Sequence, residues 1–286
     1  MILLKKWVIA AFAYLAVVIG AYYIVGAFVN NEPVDHASEH DADKQTPEQH
    51  AHDEEENSDD HAHHDHGDSP SHSENEVFPN IESQDDKLVV TLLDKEDHLV
   101  DDLKINHEKY MHLIVVSEDM ETFLHLHPER IAPGVFEADH SLNEGMYKIY
   151  VDIVPTNLAY EIEPMSLMIG DHAHHEHGPD LIPEQNWTKT TNGYEVTLTS
   201  PSFSVQGDVL LQFEIDGGEP EQYLGALGHV VIIDESMEQF IHVHPTNDVN
   251  PTFNAHFTEA GLYKLWAEFK LGGKVYDFPF VIEITE

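Results

Sequence analysis

The chain has 286 residues, with 54 acidic and 13 basic side chains, and its formal net charge at pH 7 is −41. This charge repels phosphate backbones and anionic lipid headgroups, so it argues against nucleic-acid binding and against electrostatic docking on a membrane. There is no cysteine, which excludes disulfides, thiolate metal sites and cysteine nucleophiles. The 23 histidines make imidazole the abundant candidate metal ligand.

An apolar segment opens the chain. Residues 7–29 are uncharged and mostly apolar, and as a helix they are long enough for the roughly 30 Å hydrocarbon core of a bilayer. Lys5 and Lys6 precede the segment, which predicts a cytoplasmic N-terminus. We expect a single-pass signal-anchor within residues 1–30 and an extracytoplasmic remainder. A cleaved signal peptide is the alternative, less favoured because the apolar run is long and no clear cleavage site ends it.

Two stretches are rich in histidine and acidic residues. Residues 31–76 contain few apolar side chains, which predicts a disordered tether, and residues 171–186 are predicted to form a shorter linker of the same kind. Charged runs of this type are often only solvated spacers, and many imidazoles together also suit a pH-sensing tether. Their density favours weak metal capture, and the candidate ligands are His61, His63, His64, His66, His172, His174, His175 and His177.

The rest of the chain is an internal duplication. Residues 111–128 align with residues 228–245 without a gap at an offset of 117, and residues 145–152 align with 261–268 at an offset of 116. Both segments contain the pattern His-x-His-Pro. The sequence therefore predicts the same domain twice, at residues 77–170 and 187–286.

Each copy is predicted to be all-β. The apolar runs are short, rich in β-branched and aromatic residues, and separated by Gly, Pro, Asn and Asp. This pattern is typical of immunoglobulin-like antiparallel sandwiches. The predicted strands are residues 88–92, 111–116, 123–127, 146–153, 195–198, 209–215, 229–233, 239–244, 262–269 and 277–284.

A β-hairpin in each copy would bring three histidines together. His125 and His127 share a strand face because side chains alternate along a strand. A four-residue loop pairs Ser117 with Thr122, and that register places His112 opposite His127. A slip of one residue would send His112 to the other face.

The same arithmetic for the second copy predicts a second three-histidine site. Three imidazoles are suited to Cu(II) or Zn(II), and also to Ni(II). A hydrogen-bonded cluster that only ties the hairpin to its loop is the alternative. The predicted ligands are His112, His125, His127, His229, His242 and His244. Secondary candidates are His140, His256, Asp152 and Glu268.

The paired motifs, His112 with His125-Leu-His-Pro and His229 with His242-Val-His-Pro, resemble those of exported bacterial β-sandwich modules associated with heavy-metal handling, the YtkA-like and FixH-like group. The resemblance covers both copies and not the tether. It implies an immunoglobulin-like fold and metal binding or delivery outside the cytoplasm. The two copies and the long tether depart from such modules, so the stoichiometry does not carry over.

The sequence thus predicts a membrane-anchored protein that captures or delivers copper or zinc, for example to a membrane transporter or an oxidase-assembly partner, and that is not an enzyme. A tandem immunoglobulin-like interaction or adhesion module with structural histidines is the alternative. A metallohydrolase is a third hypothesis, because three histidines with an open position also describe catalytic zinc.

Overall fold

The structure is a computed structural model that describes residues 74–170, 178–243, 245–246 and 249–286. The predicted anchor, most of the tether and residues 171–177 lie outside this range. The chain divides into two units, Met1–Gly67 and Asp68–Glu286, and the second unit contains every described residue. No helix long and apolar enough to cross a membrane occurs in the described part of the chain.

The first repeat is built from ten strands. Their bounds are β1 Phe78–Gln84, β2 Lys87–Leu93, β3 Leu103–Lys104, β4 His112–Ser117, β5 Phe123–Leu126, β6 Glu129–Ala132, β7 Val135–Asp139, β8 Gly145–Asp152, β9 Val154–Pro155 and β10 Met165–Ile169. The four strands predicted in this repeat lie within or overlap β2, β4, β5 and β8.

These strands form two antiparallel four-stranded sheets with the orders β1-β2-β7-β6 and β10-β8-β4-β5, and a small β3-β9 ribbon. The two orders correspond to A-B-E-D and G-F-C-C′ of an immunoglobulin-like sandwich. Apolar residues from both sheets, such as Leu88, Val90, Leu113 and Ile149, form a fully buried core between them. The predicted fold of this repeat is therefore observed.

The second repeat has eight described strands with nearly the same layout. Their bounds are β11 Thr188–Thr191, β12 Tyr194–Thr199, β13 Val209–Asp216, β14 His229–Asp234, β15 Phe240–Val243, β16 Thr252–Ala255, β17 Gly261–Leu271 and β18 Lys274–Ile284. The sheet orders are β11-β12-β13-β16 and β15-β14-β17-β18. The second sheet again corresponds to C′-C-F-G, whereas the first carries an added edge strand, β11, beside strand A.

The C-C′-F faces of the two repeats pack against each other. A third apolar cluster contains buried residues from both repeats, among them Ile114, Tyr150, Val231 and Trp266. Consequently β4 is buried on both of its faces, and all six of its residues are buried. The two sandwiches share this interface within one compact unit.

Aromatic stacking fixes the interface. Phe123 of the first repeat stacks on Trp266 of the second, with ring centroids 4.7 Å apart and planes 9° from parallel. Tyr150 stacks in the same way on Phe240, at 4.9 Å and 16°. Because Phe123 aligns with Phe240 and Tyr150 aligns with Trp266, the two pairs are related by a local pseudo-two-fold axis, as in an isologous dimer.

Polar contacts across the interface obey the same symmetry. Lys264 donates to the backbone oxygen of Met120 at 2.8 Å and pairs with Glu121 at 3.0 Å. Lys148, its counterpart in the first repeat, pairs with Glu238 at 3.8 Å. These ion pairs contribute little stability on their own. They are consistent with the same relative rotation of the two repeats as the stacked rings.

We predict that Trp266→Ala lowers the free energy of unfolding by about 3–5 kcal/mol, because it removes a buried aromatic ring from the interface. Urea denaturation measures this loss. Phe78→Ala is the control, since 45% of that side chain is exposed. Equal losses for the two variants would show that the interface does not stabilise the unit.

Candidate metal centre

The first hairpin has the predicted register. Leu113 pairs with Leu126 and Ile114 with His125, and the Ser117 amide donates to the oxygen of Thr122 at 3.0 Å. The next pair in this register is His112 with His127. In the second hairpin Val230 pairs with Val243, again as predicted, while His244 lies outside the described residues.

The first-repeat histidines converge. One ring nitrogen from each of His112, His125 and His127 lies within 4.8 Å of the others. Nδ1 of His112 and Nε2 of His125 are 3.0 Å apart. The rings of His112 and His229 are fully buried, as is the side chain of His125, whereas His127 is partly buried.

Two histidines of the second repeat join the same cluster. The His242 ring centroid lies 5.1 Å from those of His112 and of His125. The His229 centroid lies 6.4 Å from His112 and 5.8 Å from His125. The sequence predicted a separate site in each repeat, whereas the structure brings five of the six predicted ligands into one cluster across the interface.

The repeat-matched acids bind histidines of the opposite repeat. Nδ1 of His242 is 2.8 Å from the Asp152 carboxylate, and Nδ1 of His125 is in short contact with the Glu268 carboxylate. Both acids are buried. They therefore orient the imidazoles in the way that carboxylates orient metal-binding histidines.

Backbone oxygens orient the two histidines that begin β4 and β14. Nε2 of His112 donates to the oxygen of Asn106 at 3.0 Å, and Nε2 of His229 donates to that of Tyr223 at 3.1 Å. Since a carbonyl oxygen only accepts, each Nε2 carries a hydrogen. A neutral His112 or His229 therefore has its lone pair on Nδ1.

Both carbonyls belong to tight turns. Asn106 bridges to Lys109 across two residues of positive φ, and Tyr223 bridges to Ala226 in the same way, as in type I′ turns. Gly225 (φ +74°) occupies one such position and lies against Glu108 of the other turn. The two turns meet near the cluster and hold the His112 and His229 rings in place.

The sequence reasoning missed His107. Its ring centroid lies 6.3 Å from that of His112 and 6.4 Å from that of His242. His107 sits in the first turn with φ +48°, an uncommon conformation for a residue other than Gly. The repeat match gives no signal here because its counterpart is Leu224.

The hydrogen bonds of the first triad form one directed chain. His112 donates through Nε2 to Asn106, so its Nδ1 accepts a hydrogen from Nε2 of His125. A neutral His125 then accepts at Nδ1, and Glu268 must supply that hydrogen. The His125–Glu268 pair therefore holds one more proton than a neutral imidazole paired with an ionised carboxylate.

The pKa values of the cluster agree with this chain. Burial, followed by the neighbouring His242 and His125, lowers the pKa of His112 to about 4 and that of His229 to about 3. Burial also lowers the pKa of His127 to about 2 and holds that of His125 well below its usual value. His112, His125, His127 and His229 are therefore neutral at pH 7.

The two carboxylates behave differently. Burial raises the pKa of Glu268 to about 8, so this acid holds a proton at pH 7. Burial also opposes ionisation of Asp152, but the hydrogen bond from His242 and the electrostatic effect of His242, His112 and His107 together outweigh it, and the pKa of Asp152 is lowered. The cluster therefore combines one ionised and one protonated acid.

The secondary histidine candidates lie elsewhere. His140 contacts the Ser83 hydroxyl at 3.3 Å, and the exposed His256 pairs with Asp208 at 3.2 Å. Asp152 and Glu268, the other secondary candidates, belong to the cluster through His242 and His125. The tether and linker candidates from His61 to His66 and from His172 to His177 lie outside the described residues.

Closely spaced imidazoles of this kind are suited to a borderline divalent cation. Nε2 of His127 is buried without a hydrogen-bonding partner among the described residues, so its lone pair can bind a metal ion. A cavity of about 440 Å³ lies beside it, and its lining includes His125, His127, Glu129 and Lys87, which is paired with Glu137 and Asp139.

A family model described as a domain of unknown function (DUF8832) matches residues 76–163 and 189–286. The two matched segments correspond to the two repeats. No curated protein matches the sequence.

Solved structures with similarity include the tetra-tandem repeat of the extending region of a large adhesion protein, at 11% identity over 73% of this chain and 48% of that chain, with a TM-score of 0.23. The FN1–FN3 domains of chicken CNTN1 match at 9% identity over 74% of this chain and 68% of that chain, with a TM-score of 0.21. The chain spans about half the length of the adhesion-protein structure. Similarities of this size carry no argument about function.

We predict that the metal-free protein loses stability as the pH falls from about 6.5 towards 4. The unfolded chain has ordinary histidine pKa values near 6.5, so it binds more protons in this range than the folded cluster does. The raised pKa of Glu268 has the opposite effect on stability, because the stability it contributes is lost as the pH rises from 4.5 to 8. The effect of the four histidines is expected to be larger than that of this single acid.

Thermal unfolding with a chelator present measures this dependence, and each kcal/mol lost lowers the melting temperature by about 2–4 °C for a unit of this size. His127→Gln should flatten the dependence. The exposed His98→Ala is the control and should not. A melting temperature that is constant between pH 7 and pH 5 would contradict the assigned burial of neutral imidazoles.

Proposed function

The chain belongs to the DUF8832 family, a family defined by a domain of unknown function, and from its own residues we propose that it binds a divalent transition metal and serves in metal capture or delivery. The observation that carries the proposal is the convergence of His112, His125 and His127, with one nitrogen of each within 4.8 Å. Three imidazoles at this spacing are a frequent first coordination shell for zinc and copper.

The donor set supports a borderline divalent ion over a soft or a hard one. The described cluster offers imidazole nitrogens and two carboxylates and contains no sulfur ligand, which favours Zn(II), Cu(II) or Ni(II) over Cu(I). Calcium and magnesium prefer oxygen-only shells. The Nδ1 contacts of His125 and His242 with carboxylates are typical of metal-binding histidines.

The burial of the cluster supports holding and transfer of an ion over catalysis. Catalytic zinc keeps a coordination position open to substrate, whereas a site closed by protein ligands holds its ion. In this proposal the histidines of residues 31–76 and 171–177 collect metal weakly, and the cluster holds it. The proposed setting is outside the cytoplasm, with residues 7–29 as the anchor and a membrane transporter or oxidase-assembly protein as recipient. The motif resemblance to exported metal-handling modules supports the same setting.

The first test is metal titration of the full chain in which the thirteen histidines of residues 31–76 and 171–177 are replaced by Asn. We expect saturable Zn(II) or Cu(II) binding by calorimetry. The double variant His125→Ala/His127→Ala should bind more than ~100-fold more weakly, because it removes two ligands where loss of an outer-shell partner alone costs about 10–100-fold.

His98→Ala in the same background is the matched control, since this exposed imidazole pairs with Asp94 away from the cluster. It should bind metal as the parent does. If the parent chain takes up no metal, or if the double variant retains the parental affinity, the proposal is wrong.

A second test follows from the hydrogen between His112 and His125. The 3.0 Å contact between two ring nitrogens contains one hydrogen, and an ion bound to both nitrogens must displace it. His125 then donates through Nδ1 to an ionised Glu268. We therefore expect release of one proton per ion at pH 7, measured by calorimetry in buffers of different ionisation enthalpy.

Glu268→Gln is the control for proton release. Its amide can donate to His125 before binding and accept from it afterwards, so the proton only moves between ring nitrogens. Release should fall close to zero, and affinity should fall about 10–100-fold. Proton release that is the same in both proteins would contradict the proposed chain of hydrogen bonds.

A further inference from the structure

We infer that His242 of the second repeat supplies a fourth imidazole to the triad, so that the chain binds a single tetrahedrally coordinated Zn(II) ion across the repeat interface. The inference rests on the proposed function and deepens it, because it names the ligand set, the stoichiometry and the cargo. Neither repeat contains the whole site, and the two predicted three-histidine sites are replaced by one.

The ring separations around His112 and His125 fit ligands of one ion. A zinc–nitrogen bond of about 2.0 Å puts the ring centroid about 3.2 Å from the ion, and a tetrahedral arrangement then separates neighbouring centroids by about 5.2 Å. The His112 ring lies 5.2 Å from that of His125, 5.0 Å from that of His127 and 5.1 Å from that of His242. The His125 ring lies 5.1 Å from that of His242 and 4.6 Å from that of His127. The nitrogens that lie within 4.8 Å of one another belong to His112, His125 and His127, so the His242 ring must move towards His127 to complete the tetrahedron.

The other second-repeat histidine fits less well. His229 lies 6.4 Å from His112 and 5.8 Å from His125, both beyond the separation expected for ligands of one ion. His242 is therefore the better fourth ligand, and its contact with Asp152 through Nδ1 makes Nε2 the ligating atom.

One pair of ligand nitrogens needs only a small adjustment. Neighbouring ligand nitrogens around tetrahedral zinc are about 3.3 Å apart, and Nδ1 of His112 and Nε2 of His125 are 3.0 Å apart with a hydrogen between them. Replacing that hydrogen by an ion requires the two rings to separate by about 0.3 Å.

The buried charge favours one ion over two. Asp152 and Glu268 contact the ligand histidines among the described residues, and two carboxylate charges balance one divalent cation. A second ion would leave two positive charges buried without partners, which is strongly unfavourable. Tetrahedral nitrogen ligands favour Zn(II), because Cu(II) and Ni(II) prefer tetragonal geometry.

The test uses the full chain with the thirteen tether and linker histidines replaced, and its probes are Zn(II) and Co(II). We expect one ion per chain and an intense visible Co(II) spectrum, the sign of four-coordination. His242→Ala should weaken Zn(II) binding about 10–100-fold and reduce the Co(II) absorption, because water ligands enter. His242→Gln should give the same result. Its amide still donates to Asp152, so this variant removes the imidazole ligand and keeps the hydrogen bond.

The possible outcomes distinguish failure of metal binding from failure of the shared site. A parent chain that binds neither metal overturns the proposed function. A parent chain that binds two ions tightly overturns the shared site alone. The shared site alone is also overturned if both His242 variants keep the Zn(II) affinity and Co(II) spectrum of the parent chain while His125→Ala loses them. A larger loss in His229→Ala than in His242→Ala would also overturn the choice of His242.

Discussion

The cluster depends on the face-to-face packing of the two C-C′-F sheets. The stacked pairs Phe123–Trp266 and Tyr150–Phe240 fix the distance and the rotation between the sheets. Since β4 pairs with β8 and β14 with β17, His112 is aligned with Asp152 and His229 with Glu268. With the sheets held together, each acid reaches a histidine of the other repeat. The imidazoles are thus buried by the same contacts that position them.

The interface is symmetric in its apolar contacts and asymmetric in its chemistry. Stacked rings and lysine contacts repeat across the pseudo-two-fold axis, whereas the acids are Asp152 on one side and Glu268 on the other. The pKa of Asp152 is lowered and that of Glu268 is raised to about 8. Of these two acids only Asp152 is therefore ionised at pH 7, which lowers the cost of burying the pair.

Local features of the structure followed from the sequence, and the relation between the repeats did not. The duplication and the period-two pattern predicted the hairpin registers and ten strands, because burial of one face fixes register. Strands such as β1 and β6 were missed since their exposed residues give little apolar signal. His107 was missed, and the convergence of histidines from both repeats into one cluster was not predicted. Both depend on packing between distant faces, and no single strand pattern specifies which faces meet.

A covalent duplication has two physical consequences for a site at such an interface. Two copies of one domain could meet only by association, which depends on concentration, whereas tandem copies meet at a high effective concentration set by the connecting chain. An isologous dimer must also carry the same acid on both sides. In the tandem chain the two halves differ, with Asp152 opposed by Glu268 and His107 opposed by Leu224. In the tandem arrangement the two matched positions can hold different acids, so that one acid is ionised and the other is protonated. This asymmetry orients the hydrogen-bond chain from Glu268 through His125 to His112.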